Sequence, residues 1–340
     1  MCIRDRGQPS QVMVYTSFQN GQPTKKMHSV KATLTSNVDG SHVQTKVVWK
    51  QGNTYLIEFT PTVRGRHHLE VTVNQVPVLG GSVQLFVKIF PARLGKPVRR
   101  IEVRGAFAAI NSLEEVLVTT GRDVMVFDKS GKNLRSFTHT NMHSWGIAVD
   151  QHNVYVSDFK YNRIFKFDKT GKFLKSIGQK GSGEGELKTP GGVTVAGNEV
   201  IVCDTGNHRL QVFTLDLVFI RQIGSPEQFS KPCDVAHDEK GNLYITDGRN
   251  NCVQVFSTQG KFLRVLVVEC HLTKLSGICF SRELVYISQR KENGKVYVYD
   301  KFGLEVCSFL CGIGTDGNMG IAVDQDGFIY VCNKHQVLVF

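Results

Sequence analysis

Between Gly192 and Gly224 the chain carries four short apolar runs, 192–196, 199–204, 210–214 and 219–224, three of them alternating with polar positions and all separated by turn residues. Runs of this length, bounded by Gly, Asn and Asp, predict four β-strands in meander order. The same unit recurs. Gly146-Ile-Ala-Val-Asp150 answers the run at Gly192, Val154-Tyr-Val-Ser-Asp158 answers 200–204, and Ile164-Phe-Lys-Phe-Asp168 answers 210–214. Asp158, Asp204 and Asp247 follow one another at 46 and 43 residues. One position earlier in the repeat, Thr246, Ser288 and Cys332 follow at 42 and 44. Four strands at this spacing are one blade of a β-propeller. A blade alone exposes both faces of its sheet, so the blades must cover one another in a ring.

Six repeats are countable, opening near residues 107, 146, 192, 234, 277 and 320. The first is degenerate. Five have four strands; the sixth has three and stops at Phe340, while 98–103 reads as a strand with no blade of its own. If that spare strand becomes the outer strand of the sixth sheet, the ring closes with six blades and no open seam. On this reading the C-terminus is natural and the N-terminus cut. Residues 1–6 read as a fragment scar. Residues 7–90 are also all-β, with strand candidates at 12–16, 30–35, 43–49, 55–60, 69–73 and 83–89, but no repeat. That spacing predicts a sandwich. Residues 91–97, with prolines at Pro91 and Pro97, form a short linker that limits swinging. The propeller is then 98–340.

Two motifs go further than strand spacing. Tyr55-Leu-Ile-Glu-Phe-Thr-Pro61, Arg64-Gly-Arg-His67, Leu69-Glu-Val-Thr-Val-Asn74 and Val78-Leu-Gly-Gly-Ser82 together resemble the filamin-type immunoglobulin-like repeat. The family's closing Gly-Ser-Pro-Phe is altered here to Gly81-Ser82-Val83-Gln84, and its first strand is missing from the pattern. Asn207-His208-Arg209-Leu210, between Asp204-Thr-Gly and Gln211-Val-Phe213, resembles the Asn-His-Leu signature of NHL repeats, with weaker copies at 158–163 and 247–252. A filamin repeat followed by a six-bladed NHL propeller resembles the C-terminal half of the tripartite-motif NHL family. The resemblance implies a RING finger, B-boxes and a coiled coil upstream; none of their Cys and His ligand pairs is in this sequence. It also implies that any oligomer forms through that coiled coil.

Composition changes this picture little. The net charge of +11 is uneven: residues 1–98 hold 12 Lys and Arg against 4 Asp and Glu, and residues 99–340 hold 29 against 26. The propeller is thus near neutral, and bulk charge alone is no argument for nucleic acid. The cysteines number 9, an odd count with no Cys-x-x-Cys, mostly inside strand-like runs. Such thiols pack as small apolar groups, as in a reduced cytoplasmic protein. No apolar run is long enough for a membrane span, and the first residues lack the apolar core of a secretory signal.

Candidate chemistry falls mainly in the loops and inner strands. Asp158, Asp204 and Asp247 each end a second strand, where a carboxylate accepts hydrogen bonds from the following turn; a structural role is expected. The glycines of the repeats supply close packing or positive φ, and no helix follows to make a phosphate site. His237 stands on an inner strand where sister repeats have Val149 and Val195, but no second ligand recurs beside it, so no metal or cofactor is expected. Cys307 and Cys311, four apart on an outer strand, are expected to pack rather than bind zinc.

Charge distribution around the ring says more. In a propeller the loops joining strands two and three share a face with the loops between blades. On this sequence that face sums to +4, and the opposite face to −4. The positive face also carries Phe159, Tyr161 and Trp145. Cations beside stackable rings suit a protein partner or single-stranded RNA. The expected binding residues are Lys160, Tyr161, Arg163, His208, Arg209, Arg249, Arg290, Lys291 and Lys295. By resemblance, the chain would be a non-catalytic module that selects protein substrates for a RING-type ubiquitin ligase, with RNA as a further ligand. The alternatives are a sequence-selective RNA-binding regulator acting on single-stranded or hairpin RNA, and a propeller hydrolase or lyase, which needs ligands converging on the channel.

Overall fold

A computed structural model describes residues 10–15, 30–36, 42–51, 54–59, 65–73, 76–87, 97–268, 273–290, 294–311 and 320–340. The chain divides into two units, Met1–Leu94 and Gly95–Phe340. In the first, Ser10–Tyr15, Thr54–Phe59 and Thr45–Gln51 make a three-stranded sheet. His42–Val43, Val30–Ser36, Gly65–Val73 and Val76–Val87 make a four-stranded one. The long last strand absorbs the Gly80-Gly81 pair and runs antiparallel to Gly65–Val73, with Gly65 opposite Val87.

The second unit is a six-bladed propeller. Its blades, each written from inner to outer strand, are four-stranded antiparallel meanders. The first is Ala108–Ile110, Val116–Thr119, Val124–Phe127 and Asn133–Phe137. The second is Ser144–Val149, Asn153–Asp158, Arg163–Asp168 and Phe173–Ile177. The third is Val193–Ala196, Glu199–Asp204, Arg209–Thr214 and Phe219–Ile223. The fourth is Pro232–His237, Leu243–Asp247, Cys252–Phe256 and Phe262–Val268. The fifth is Leu275–Ser281, Leu284–Gln289, Lys295–Asp300 and Glu305–Leu310. The sixth begins Ile321–Val323, Ile329–Cys332, Val337–Val339 and takes Arg99–Ile101 as its outer strand. Val337 pairs with Ile101, Leu338 with Arg100 and Val339 with Arg99, so the spare strand does close the ring.

The core lies between blades. Ile101, Val337 and Val339 of the sixth blade pack with Val116 and Val118 of the first, and Leu117, Val124 and Val126 of the first pack with Phe165 and Phe167 of the second. Second strands are covered on both sides; Val116–Thr119 and Leu243–Asp247 are buried throughout. That is why they read as continuous apolar runs rather than as alternation. Every third strand has a buried aromatic ring at, or one residue from, its end: Phe127, Phe167, Phe213, Phe256, Tyr299 and Phe340. In the first five blades the outer strand joins there through a register shift. Such bulges twist an edge strand away from foreign partners.

The blades are also clasped to one another by hydroxyls near the channel. Ser157 Oγ accepts from Gly146 N (2.8 Å) and donates to Gly191 O of the next blade (2.6 Å). Thr119 and Thr246 do the same toward Trp145 O and Ser276 O. Where the residue is Cys203 or Cys332, a direct backbone bond joins the blades instead, Gly192 N to Cys233 O and Gly320 N to Ala106 O, both 2.8 Å. Among the described residues no helix is long and apolar enough to cross a membrane.

Candidate recognition face

Each loop between second and third strands is built around a buried side chain at its start. Asp158 accepts from the Lys160 and Tyr161 amides of its own loop (3.0 and 2.9 Å) and from His143 N of the preceding inter-blade loop (2.9 Å). Asp204 accepts from Lys188 N (2.7 Å), Asn207 Nδ2 (2.8 Å), Arg209 Nε (2.9 Å) and Gln211 Nε2 (3.1 Å). Asp247 accepts from Ser230 N (2.9 Å), Asn250 Nδ2 (2.9 Å) and Gln254 Nε2 (3.0 Å). Burial pushes the Asp247 carboxyl up, against these hydrogen bonds. Asn333 fills the same place in the sixth blade, accepting from His335 N and Gln336 N (both 2.9 Å). The three carboxylates each pin their own loop to the preceding inter-blade loop, while Asn333 shapes its own loop, and so they fix what the face displays.

The expected binding residues divide on this frame. Lys160, Tyr161, Arg163, Arg249 and Arg290 are exposed on the face. Lys160 Nζ lies 3.3 Å from His143 Nε2 and 5.3 Å from the centre of the Tyr161 ring, which meets His143 edge-on at 5.3 Å. Lys295 is half-buried, 5.3 Å from the Tyr297 ring. Lys291 lies outside the described residues. His208 and Arg209 are tied into the scaffold. His208 sits at φ +57° and accepts the Lys231 amide on Nδ1 (3.1 Å). Arg209 spends its guanidinium on Asp204, on Gln222 Oε1 (3.0 Å) and on the carbonyls of Gly183 (2.7 Å) and Glu186 (3.2 Å), leaving the side chain 11 % exposed. Its charge thus serves to hold the 178–191 loop down.

The face is more basic at its surface than the formal tally of +4. Asp158, Asp204 and Asp247 are counted in that sum but are fully buried, whereas Arg104, Arg122, Lys160, Lys188, Lys231, Arg249, Arg290 and Lys334 are exposed. A pocket of about 440 Å³ opens among them, where the sixth, first and second blades meet. It is lined by Trp145, Phe159, His143 and His335, by Gly105, Ala106, Thr120 and Gly121, and by Arg104 and Lys334. Trp145 packs on Phe159 at 5.0 Å and on Phe107 at 5.8 Å. Sequence reasoning placed Trp145 and Phe159 here but not Arg104, His143, Lys334 or His335. The Asn333-Lys334-His335-Gln336 loop aligns with the sister loops and was the available signal.

A second cavity, about 220 Å³, is the central channel lined by the inner strands. Thr194 and His237 share a hydrogen bond there, Oγ1 to Nδ1, at 3.1 Å. Burial holds the His237 imidazolium form down. On the opposite face Glu114, Asp324 and Asp326 lie within ligand reach of one another, but the Lys129 ammonium stands among them, 3.0 Å from Glu114 and 2.6 Å from Asp326.

Two known repeat families match successive parts of the chain. The filamin/ABP280 repeat family matches residues 3–82, and the NHL repeat family matches 187–213 and 229–256. Human E3 ubiquitin-protein ligase TRIM32 is 28 % identical over 178 residues, 46 % of this chain and 26 % of that protein. The chain thus carries a filamin repeat followed by NHL repeats, and is similar to the tripartite-motif NHL family. The filamin–NHL chain is also similar to Drosophila melanogaster Protein brain tumor, 29 % identical over 131 residues, 37 % of this chain and 12 % of that protein. It therefore spans about a quarter or less of the curated relatives it matches. Among solved structures, virginiamycin B lyase from Staphylococcus aureus superposes with a TM-score of 0.54 at 14 % identity, over 92 % of this chain and 99 % of that one. A gluconolactonase from Xanthomonas campestris superposes with a TM-score of 0.53 at 12 % identity, over 71 % and 89 %. At these identities the likeness is one of fold alone.

Proposed function

We propose that the filamin–NHL chain is a recognition module that holds a protein target on the positive loop face of its propeller for a ubiquitin ligase. The carrying observation is the division of charge within that face: Asp158, Asp204 and Asp247 are buried as loop clamps while most of its cations stand exposed, Arg104 and Lys334 of them beside a pocket lined by Trp145 and Phe159. A surface of this kind complements an acidic segment that brings flat apolar groups, and desolvated rings within a charged rim are where binding energy concentrates. The ligase connection rests on the human relative's name and on the match of 46 % of this chain to it.

RNA is the second reading, supported by the Trp145–Phe159 pair in a pocket that Arg104 and Lys334 also line, which offers rings and cations together. One experiment separates the two. The chain and a Lys160→Glu/Arg249→Glu/Arg290→Glu variant are used as bait, with and without nuclease. Protein partners that survive nuclease and vanish with the variant are expected. Equal capture by the variant sinks the reading of the face; capture lost to nuclease moves it to RNA, whose affinity must then fall steeply with salt. A propeller hydrolase or lyase would instead lose turnover on His237→Gln and be indifferent to the charge-reversed face.

A further inference from the structure

The channel wall is chemically one-sided. Six inner strands present equivalent positions, aligned by the bond each makes to the clasp residue of its second strand. At the first position Gly146 and Gly277 donate to Ser157 and Ser288, and Asp234 N donates likewise to Thr246 Oγ1 (3.1 Å). The fourth blade thus has a carboxyl where four sisters have glycine and the first has Phe107, whose amide donates to Thr119 Oγ1. Two positions on, four blades have alanine, the fifth has Cys279 and the third has Thr194; one position further the fourth blade has His237 among branched and aromatic apolar residues. All three polar replacements fall on the third and fourth blades, and all three line the cavity. The facing wall, from the sixth and first blades, is Ala322, Val323, Ala109 and Ile110.

Asp234 is buried, and its two oxygens accept from Val235 N and Ile278 N, both at 2.9 Å. Each oxygen keeps a lone pair, and among the described residues no cationic side chain pairs with it. A buried carboxylate without a counter-ion is costly, and an incoming cation removes that cost. The inner strands are sheet edges, so further backbone carbonyls are available toward the axis. A cavity of about 220 Å³ holds roughly seven waters or one small organic molecule. Hard metal ions want several oxygen ligands from charged groups, whereas an ammonium needs acceptors for three N–H groups and tolerates an apolar wall behind its carbon body.

We propose that the propeller channel binds a small organic ammonium ion, its nitrogen against Asp234 and its carbon body against the Ala322 and Ile110 wall. The site is separate from the recognition face, and its fate does not depend on that reading. The test is calorimetric titration of the full chain with benzylammonium chloride, with benzyl alcohol as the neutral isostere. Saturable one-site binding is expected for the ammonium and at least tenfold weaker binding for the alcohol. Asp234→Asn is expected to weaken it at least tenfold. Ala322→Leu, which leaves the carboxyl in place and fills the apolar wall, is expected to do the same; the melting temperature of each variant reports its folding. Absence of saturable binding overturns the proposal. So does equal binding of the alcohol, undiminished binding by Asp234→Asn, or full displacement by magnesium chloride at the same concentration, which would make the site one for inorganic cations.

Discussion

Asp204 shows how much one buried carboxylate can organise. It receives four hydrogen bonds from two loops, one of them from a guanidinium that is itself nearly covered. Asp204→Ala is expected to cost about 3 kcal/mol, read by urea unfolding, because it leaves Arg209 and three other donors without their acceptor. Arg209→Ala is expected to lower stability comparably while leaving capture by the exposed cations intact. The expected bonds from the backbone of the following turn are seen at Asp158, whereas Asp204 takes the side chains of Asn207, Arg209 and Gln211 and the amide of Lys188 instead. The role of Arg209 was not legible in the sequence, because its partners sit on the 178–191 loop, whose path over the third blade no local pattern announces. Asp234 supplies a pH test. Burial lifts its carboxyl to about 7, so between about pH 4 and pH 7 the native chain keeps a proton that the unfolded chain has released. Stability therefore falls as pH rises through that window and levels above it, by on the order of 4 kcal/mol in total. Asp234→Asn should flatten this slope, which denaturant unfolding at pH 5 and pH 8 would read directly.

At the scale of the element, the repeat carries its own joints. Ser157 and Thr246 were visible in the sequence only as markers of spacing, yet their hydroxyls tether consecutive blades, since each reaches a backbone carbonyl that belongs to the next unit. Ser157→Ala is expected to cost about 1–3 kcal/mol, as a buried amide and carbonyl lose their shared partner. Turn glycines make the other joint. Gly171 sits at φ +95°, and a Cβ there would lie 2.5 Å from the Phe137 ring of the preceding blade. Gly171→Ala is expected to cost about 2 kcal/mol, from strain plus displacement of that ring, seen as a lowered melting temperature. The four-strand unit and its turns were readable because period and punctuation are local properties. The bulge at the end of each third strand was not, because it appears only when the aromatic ring is seated and the outer strand must step past it.

For the whole molecule, closure was legible by counting: one strand short at the end, one strand spare after the linker. The seam pocket was not, because Arg104 and Lys334 become neighbours only once the ring shuts. Ile101→Asp places a charge in the core shared by the sixth and first blades and is expected to lower stability by about 3 kcal/mol, with loss of a single cooperative transition by calorimetry. The closing strand has a mechanical meaning as well. Tension on the filamin side enters the propeller at Val98, whose amide bonds Val339 O, and passes at once into a three-residue strand paired with the last three strand residues of the chain. The joint that completes the circle is thus the first to carry load, and it is shorter than the outer strands of the other five blades. Stretching the molecule would unlatch the ring there before any other blade felt the force.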